Sequence, residues 1–157
     1  MSQAGKVKMI TGNKLVFAAI FLLQLITGAT IDNQNVEVTI TGLRNSEGQI
    51  VLGVFKDHES FKKEQSYREF RFSKKGISGS EMKVQFTIPP GTYGFAILDD
   101  ETGDGFMQYN FFGMPKEGFG FSDYYHTGVT MPKFDDFKFD LAEGQKKSVN
   151  VRIRYIL

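Results

Sequence analysis

The chain has 157 residues, 41% of them hydrophobic, which suits a single domain with a buried core. Its formal charge is +1, but Lys6, Lys8 and Lys14 all precede Ala29; without them 16 basic residues face 18 acidic ones, a net charge of −2. So neutral a body excludes nucleic-acid binding, which needs a concentrated basic surface, and the absence of cysteine excludes disulfides, thiolate metal sites, a cysteine nucleophile and a lipid-modified cysteine.

The three lysines lead into the apolar run Leu15 to Ile26, then Thr27-Gly28-Ala29 and a polar stretch. Charged, apolar and small residues in that order make a secretory signal peptide. The run has about a dozen residues, short of the roughly 20 that cross a bilayer, so cleavage is expected ahead of an uncleaved anchor. Residues 1–29 are read as the signal and 30–157 as one exported domain, periplasmic or extracellular.

From Asn35 onward the hydrophobic period is two. Val36, Val38 and Ile40 alternate with polar residues, as in a strand with one buried face. A turn around Asn45 to Gly48 precedes Ile50, Val51, Leu52, Val54 and Phe55, a nearly continuous apolar run that reads as a central strand. A short helix is expected near Ser60, anchored by Phe61, then a short edge strand over Arg68 to Phe72. Met82 to Ile88 alternates again, and Pro89-Pro90-Gly91 turns the chain into Tyr93, Phe95 and Ile97. Phe137 to Leu141 and Val149 to Tyr155 complete about seven strands. The expected fold is all-β, an antiparallel two-sheet sandwich of Ig-like or transthyretin-like type, with a barrel as the alternative. One interruption stands out. Residues 99–133 show no convincing strand period, and an aromatic-rich loop of that length is expected to be functional.

This loop contains Asn110-Phe111-Phe112-Gly113-Met114-Pro115-Lys116-Glu117-Gly118-Phe119-Gly120-Phe121-Ser122 behind an acidic, Gly-rich head. Together with the Pro-Pro-Gly-Thr-Tyr turn at Pro89 to Tyr93 and Gly-Leu-Arg-Asn-Ser-Glu-Gly-Gln-Ile at Gly42 to Ile50, it resembles the secreted bacterial family known as Domain of Unknown Function 2141, over roughly Val36 to Tyr155. The resemblance implies a sandwich fold and an export signal but no activity. The family shows His-Asp-Glu-Asn-x-Asn-Gly at the head of the loop, whereas this chain has Asp99, Thr102 and Asp104 at the His and two Asn positions, and Gln108 where the family has Asp.

Two sets of loop residues are candidates for a site. Asp99, Asp100 and Asp104, with Asn110 or Glu117 returning from the distal part, are candidate oxygen ligands for calcium, a hard cation. An EF-hand is excluded, because its twelfth position counted from Asp100 is Phe111. The rings of Tyr109, Phe111, Phe112, Phe119, Phe121, Tyr124 and Tyr125 are candidate ligand-binding residues if exposed; buried, several would cap one end of the sandwich. The leading functional reading is an exported, non-enzymatic binding or interaction module for a glycan, a peptide or an envelope protein. The alternatives are a small periplasmic hydrolase using loop carboxylates or Ser122 with His126, and a structural cell-envelope protein.

Overall fold

The computed structural model describes residues 35–111 and 113–156. The signal-like residues 1–29 lie outside them, as does Phe112. In chain order the elements are β1 (Val36–Thr41), β2 (Gln49–Phe55), the one-turn helix α1 (His58–Lys62), β3 (Arg68–Ser73), β4 (Glu81–Phe86), β5 (Gly91–Asp100), β6 (Gly118–Phe121), a second short helix α2 (Phe134–Phe137), β7 (Lys138–Leu141) and β8 (Lys147–Arg152).

The strands form two sheets, a β-sandwich. One has the order β4-β1-β8 and the other β3-β2-β5-β6, with β7 also paired to β5. Pairing is antiparallel except between β1 and β8, which run parallel from Val36 opposite Lys147 to Thr41 opposite Arg152. Strand β5 is the longest, and its two flanks differ. One is covered by β2 along most of its length, while the other is shared by β7 opposite Gly91 to Gly94 and β6 opposite Ala96 to Asp99.

The period-two residues meet between the sheets. Val36, Val38 and Ile40 of β1, Val149 and Val151 of β8, and Ile50, Leu52, Val54, Phe95 and Ile97 of the larger sheet form one buried cluster. Burying each such side chain contributes about 1.5 to 3 kcal/mol relative to exposure. The continuous apolar run of β2 has a simple cause: Val51 and Phe55, pointing away from that cluster, are also buried. The larger sheet is covered on both faces. On its outer face Phe55, Phe61, Phe121, Phe134 and Phe137 form a second cluster, in which the Phe61 ring meets Phe137 edge-on at 4.8 Å and Phe55 at 5.3 Å. Asp57 caps α1 by accepting the Ser60 N–H at 2.7 Å, which holds Phe61 over that face.

The expected loop over residues 99–133 is corrected at its start and just past its middle. Strand β5 continues through Asp99 and Asp100, and β6 lies inside the segment. Asp99 occupies an inward position in register with Tyr93, Phe95 and Ile97, where an ion pair with Lys74 replaces apolar contact. In β6 the alternation is inverted. Phe119 and Phe121 face outward, while glycines face the other sheet: a Cβ on Gly120 would stand 2.6 Å from Val151 Cγ1, and one on Gly118 2.5 Å from Ile153 Cγ2. Only glycine permits that approach, which lets Phe119 exchange two backbone hydrogen bonds with Arg154 and join the sheets at one edge.

Candidate functional site

The outer face of the larger sheet is only partly covered by the phenylalanine cluster. Beside it runs a groove of about 510 Å³. Its floor is built from the outward residues of three neighbouring strands, Val51, Gly53 and Phe55 of β2, Ala96 and Leu98 of β5, and Phe119 and Phe121 of β6. Gly53 leaves room for the Phe55 ring, which an added Cβ would meet at 2.9 Å. Two loops form the rim: residues 105–115 bring Phe106, Met107 and Tyr109, and residues 126–132 bring His126, Val129 and Met131.

Hydrogen bonds fix the first rim loop from within. The Asp100 carboxylate accepts the backbone N–H groups of Gly103 at 2.7 Å, Asp104 at 3.2 Å and Gly105 at 2.8 Å, besides the Gln49 side-chain amide at 2.7 Å. Burial works to raise its pKa, yet the bonds from Gln49, Gly105, Gly103 and Thr102 together hold it below the ordinary aspartate value. Glu117, also buried, accepts from the Gln108 N–H and the Thr102 hydroxyl. Beyond them the chain doubles back as a small hairpin, with Lys116 N–H bonded to Gln108 C=O at 2.8 Å and Asn110 N–H to Met114 C=O at 2.9 Å. Arg154 holds the second rim loop, donating to the carbonyls of His126 at 2.9 Å and Gly128 at 2.6 Å.

A family model described as an uncharacterized protein conserved in bacteria, DUF2141, matches residues 38–150, from within β1 to within β8. The chain belongs to that family. The DUF2141 match takes in both rim loops and all three strands of the groove floor. No curated protein and no solved structure matches the chain.

In this DUF2141 protein the expected oxygen ligands do not share one environment. Asp99 points into the sandwich and pairs with Lys74 and the Tyr155 hydroxyl. Asp100 and Glu117 both reach Thr102, and Asp104 joins them through Gln108, which donates to it at 2.8 Å. Asn110 sits in the hairpin and accepts the Met114 N–H at 3.0 Å. Among the described residues no three His, Asp or Glu side chains are grouped to hold a metal ion.

The candidate rings divide. Phe121 is 8% exposed and belongs to the second cluster, with Phe119 and Tyr124 packed against it. Tyr109, Phe111 and Tyr125 are exposed, and Tyr109 lines the groove. Ser122 is buried; its Oγ accepts the Phe95 N–H at 2.9 Å and donates to the Phe137 C=O at 2.6 Å, tying β5 to the end of α2. His126 engages the Thr130 carbonyl at 2.5 Å and the Tyr124 hydroxyl at 3.5 Å. Most of the groove lining, Leu98, Met107, Val129 and Met131 included, is not assigned to a site by the sequence reading. The signal for those four is local, apolar side chains within polar, glycine-containing loops or on the second face of a strand.

Proposed function

We propose that this protein is an exported, non-enzymatic binding module that seats an apolar ligand in the groove on the outer face of its larger sheet. One observation carries the reading: Phe106, Tyr109, Val129 and Met131, all large, apolar and exposed, converge on one concavity floored by apolar residues. A contiguous exposed apolar surface is costly to leave in water, and where it is concave it marks a binding site. The volume lies within the few hundred to about 1,000 Å³ typical of small-molecule pockets. A rigid sheet supplies the floor, and adaptable methionines supply part of the rim. Export rests on the order of charged, apolar and small residues in the leader.

The lining also selects by charge. Its charged carboxylates are Glu64 and Glu69, the latter paired with Arg71 at 2.7 Å, and no Lys or Arg is among the described lining residues, so a neutral apolar molecule suits it better than an anion. Binding stands ahead of hydrolysis because the Ser122 hydroxyl is spent on two backbone groups and buried.

The test is titration with the neutral fluorophore N-phenyl-1-naphthylamine and its anionic relative anilinonaphthalene sulfonate. The neutral probe is expected to bind saturably and more tightly. Val129→Asp combined with Met131→Ala, two exposed positions, is expected to weaken binding about tenfold or more with an unchanged circular dichroism spectrum. Absence of saturable binding, or identical affinity in the double variant, overturns the reading.

A further inference from the structure

Opposite the groove, at the same end of β2 as Asp100, a second cluster of reactive groups lies inside the sandwich. Gly48 C=O accepts the Lys74 N–H at 3.2 Å, continuing the β2–β3 ladder one step beyond Gln49 opposite Ser73, while Asp99 faces Ile50 across β2. The ladder thereby brings the Lys74 amine into the sandwich against the Asp99 carboxylate. Both side chains are 0% exposed. The Lys74 Nζ also donates to Asn45 Oδ1 at 3.2 Å. The Asn45 amide is fixed from both ends: Oδ1 accepts the Glu47 N–H at 2.9 Å, and Nδ2 donates to Glu101 Oε1 at 2.7 Å. Arg44 in turn grips Glu101 through Nε at 2.6 Å and Nη2 at 2.5 Å.

We propose that Lys74 and Asn45 join in an intramolecular isopeptide bond, formed by the folded protein itself, with Asp99 as the proton carrier. A buried ion pair is costly to desolvate, and proton transfer from the ammonium to the touching carboxylate neutralises both groups. The resulting amine is a nucleophile already hydrogen-bonded to Oδ1, the oxygen carried by the amide carbon it must reach, so attack is unimolecular once the amine swings from the oxygen to the face of that carbon. The Nζ lone pair forms the new bond to Asn45 Cγ. Negative charge gathers on Oδ1, where the Glu47 N–H already points. The bond from Cγ to Nδ2 then breaks, its electron pair leaving with the nitrogen. Of the four hydrogens on the departing nitrogen two were its own; the other two are the protons given up by Lys74, taken first by Asp99 against Nζ and passed to Nδ2, which Glu101 Oε1 holds at 2.7 Å. One ammonium ion leaves, Asp99 returns to carboxylate, and no oxidant, cofactor or outside reactant is consumed.

Peptide mapping of the folded, purified full chain decides the matter. Trypsin cuts after Arg44, Lys56, Arg71 and Lys75 but not after an acylated Lys74. The expected product is therefore a branched peptide joining residues 45–56 to residues 72–75, lighter by one ammonia than the two together. Linear peptides with cleavage after Lys74 overturn the proposal, and so does a branch lighter by one water that joins Lys74 to Asp99. Lys74→Arg is expected to abolish the branch. Asp99→Ala, checked by circular dichroism for a native spectrum, is expected to leave both peptides linear; a branch that persists in it overturns the assignment of the proton carrier. The wild-type map decides without any variant having to fold.

Discussion

Asp99 and Asp100 are adjacent on one strand, yet they face opposite sides of a sheet and do different work. Asp99 meets Lys74 inside the sandwich, whereas Asp100 gathers three loop amides. Because the folded pKa of Asp100 is depressed, its contribution to stability is fully present above the unfolded aspartate value of about 3.9 and is lost as pH falls through the lower folded value. Asp100→Asn is therefore expected to lower the melting temperature at neutral pH and to flatten its fall below about pH 4, measured by calorimetry from pH 3 to 7. The rings allow a sharper contrast. Phe121→Ala removes a buried member of the second cluster and is expected to cost about 3 to 5 kcal/mol in urea denaturation, while Phe106→Ala is expected to stay within about 0.5 kcal/mol. Acidic and aromatic residues were legible as the chemistry of this segment from its composition. Which of them face inward was not, since Asp99 and Phe121 are buried by strands that pair with them from distant parts of the chain.

At the scale of elements, periodicity was a good guide wherever one face of a strand is apolar and the other wet. Strands β1, β4 and β8 are of that kind, and β2 announced its two buried faces by a run of Ile, Val, Leu and Phe. Strand β6 was hidden because its inward positions are glycines, which carry no hydrophobic signal, and because its phenylalanines serve the outer face. Its position predicts strict intolerance. Gly120→Ala brings a methyl to 2.6 Å from Val151 Cγ1 and 2.9 Å from the Arg152 carbonyl, and a backbone neighbour cannot yield by rotation. The expected cost is about 1 to 3 kcal/mol, with faster amide exchange at Phe119 and Arg154 than at β2 as the local readout. Ser122→Ala belongs to the same junction. It leaves the Phe95 N–H and Phe137 C=O unpaired in a buried place, an expected loss of about 1 to 3 kcal/mol by denaturant midpoint.

For the molecule as a whole, two covered faces on one sheet leave the groove as a gap in the outer cover, bounded by loops that are far apart in sequence. That arrangement was not legible, because residues 105–115 and 126–132 become neighbours only through the pairing of β5 with β6 and the grip of Arg154. A ligand that fills the gap binds only the folded chain, so N-phenyl-1-naphthylamine at 100 times its dissociation constant is expected to add about 2.7 kcal/mol, seen as a melting temperature raised by a few degrees. The parallel pair β1 and β8 has a mechanical consequence. Strand β1 begins beside the beginning of β8, so the chain enters at Asn35 and departs beyond Arg152 at opposite ends of one ladder. Tension applied through those two ends loads every rung of the ladder at once, in shear, instead of peeling the rungs apart one after another, so the domain resists stretching along this axis better than along a direction that unzips its hairpins.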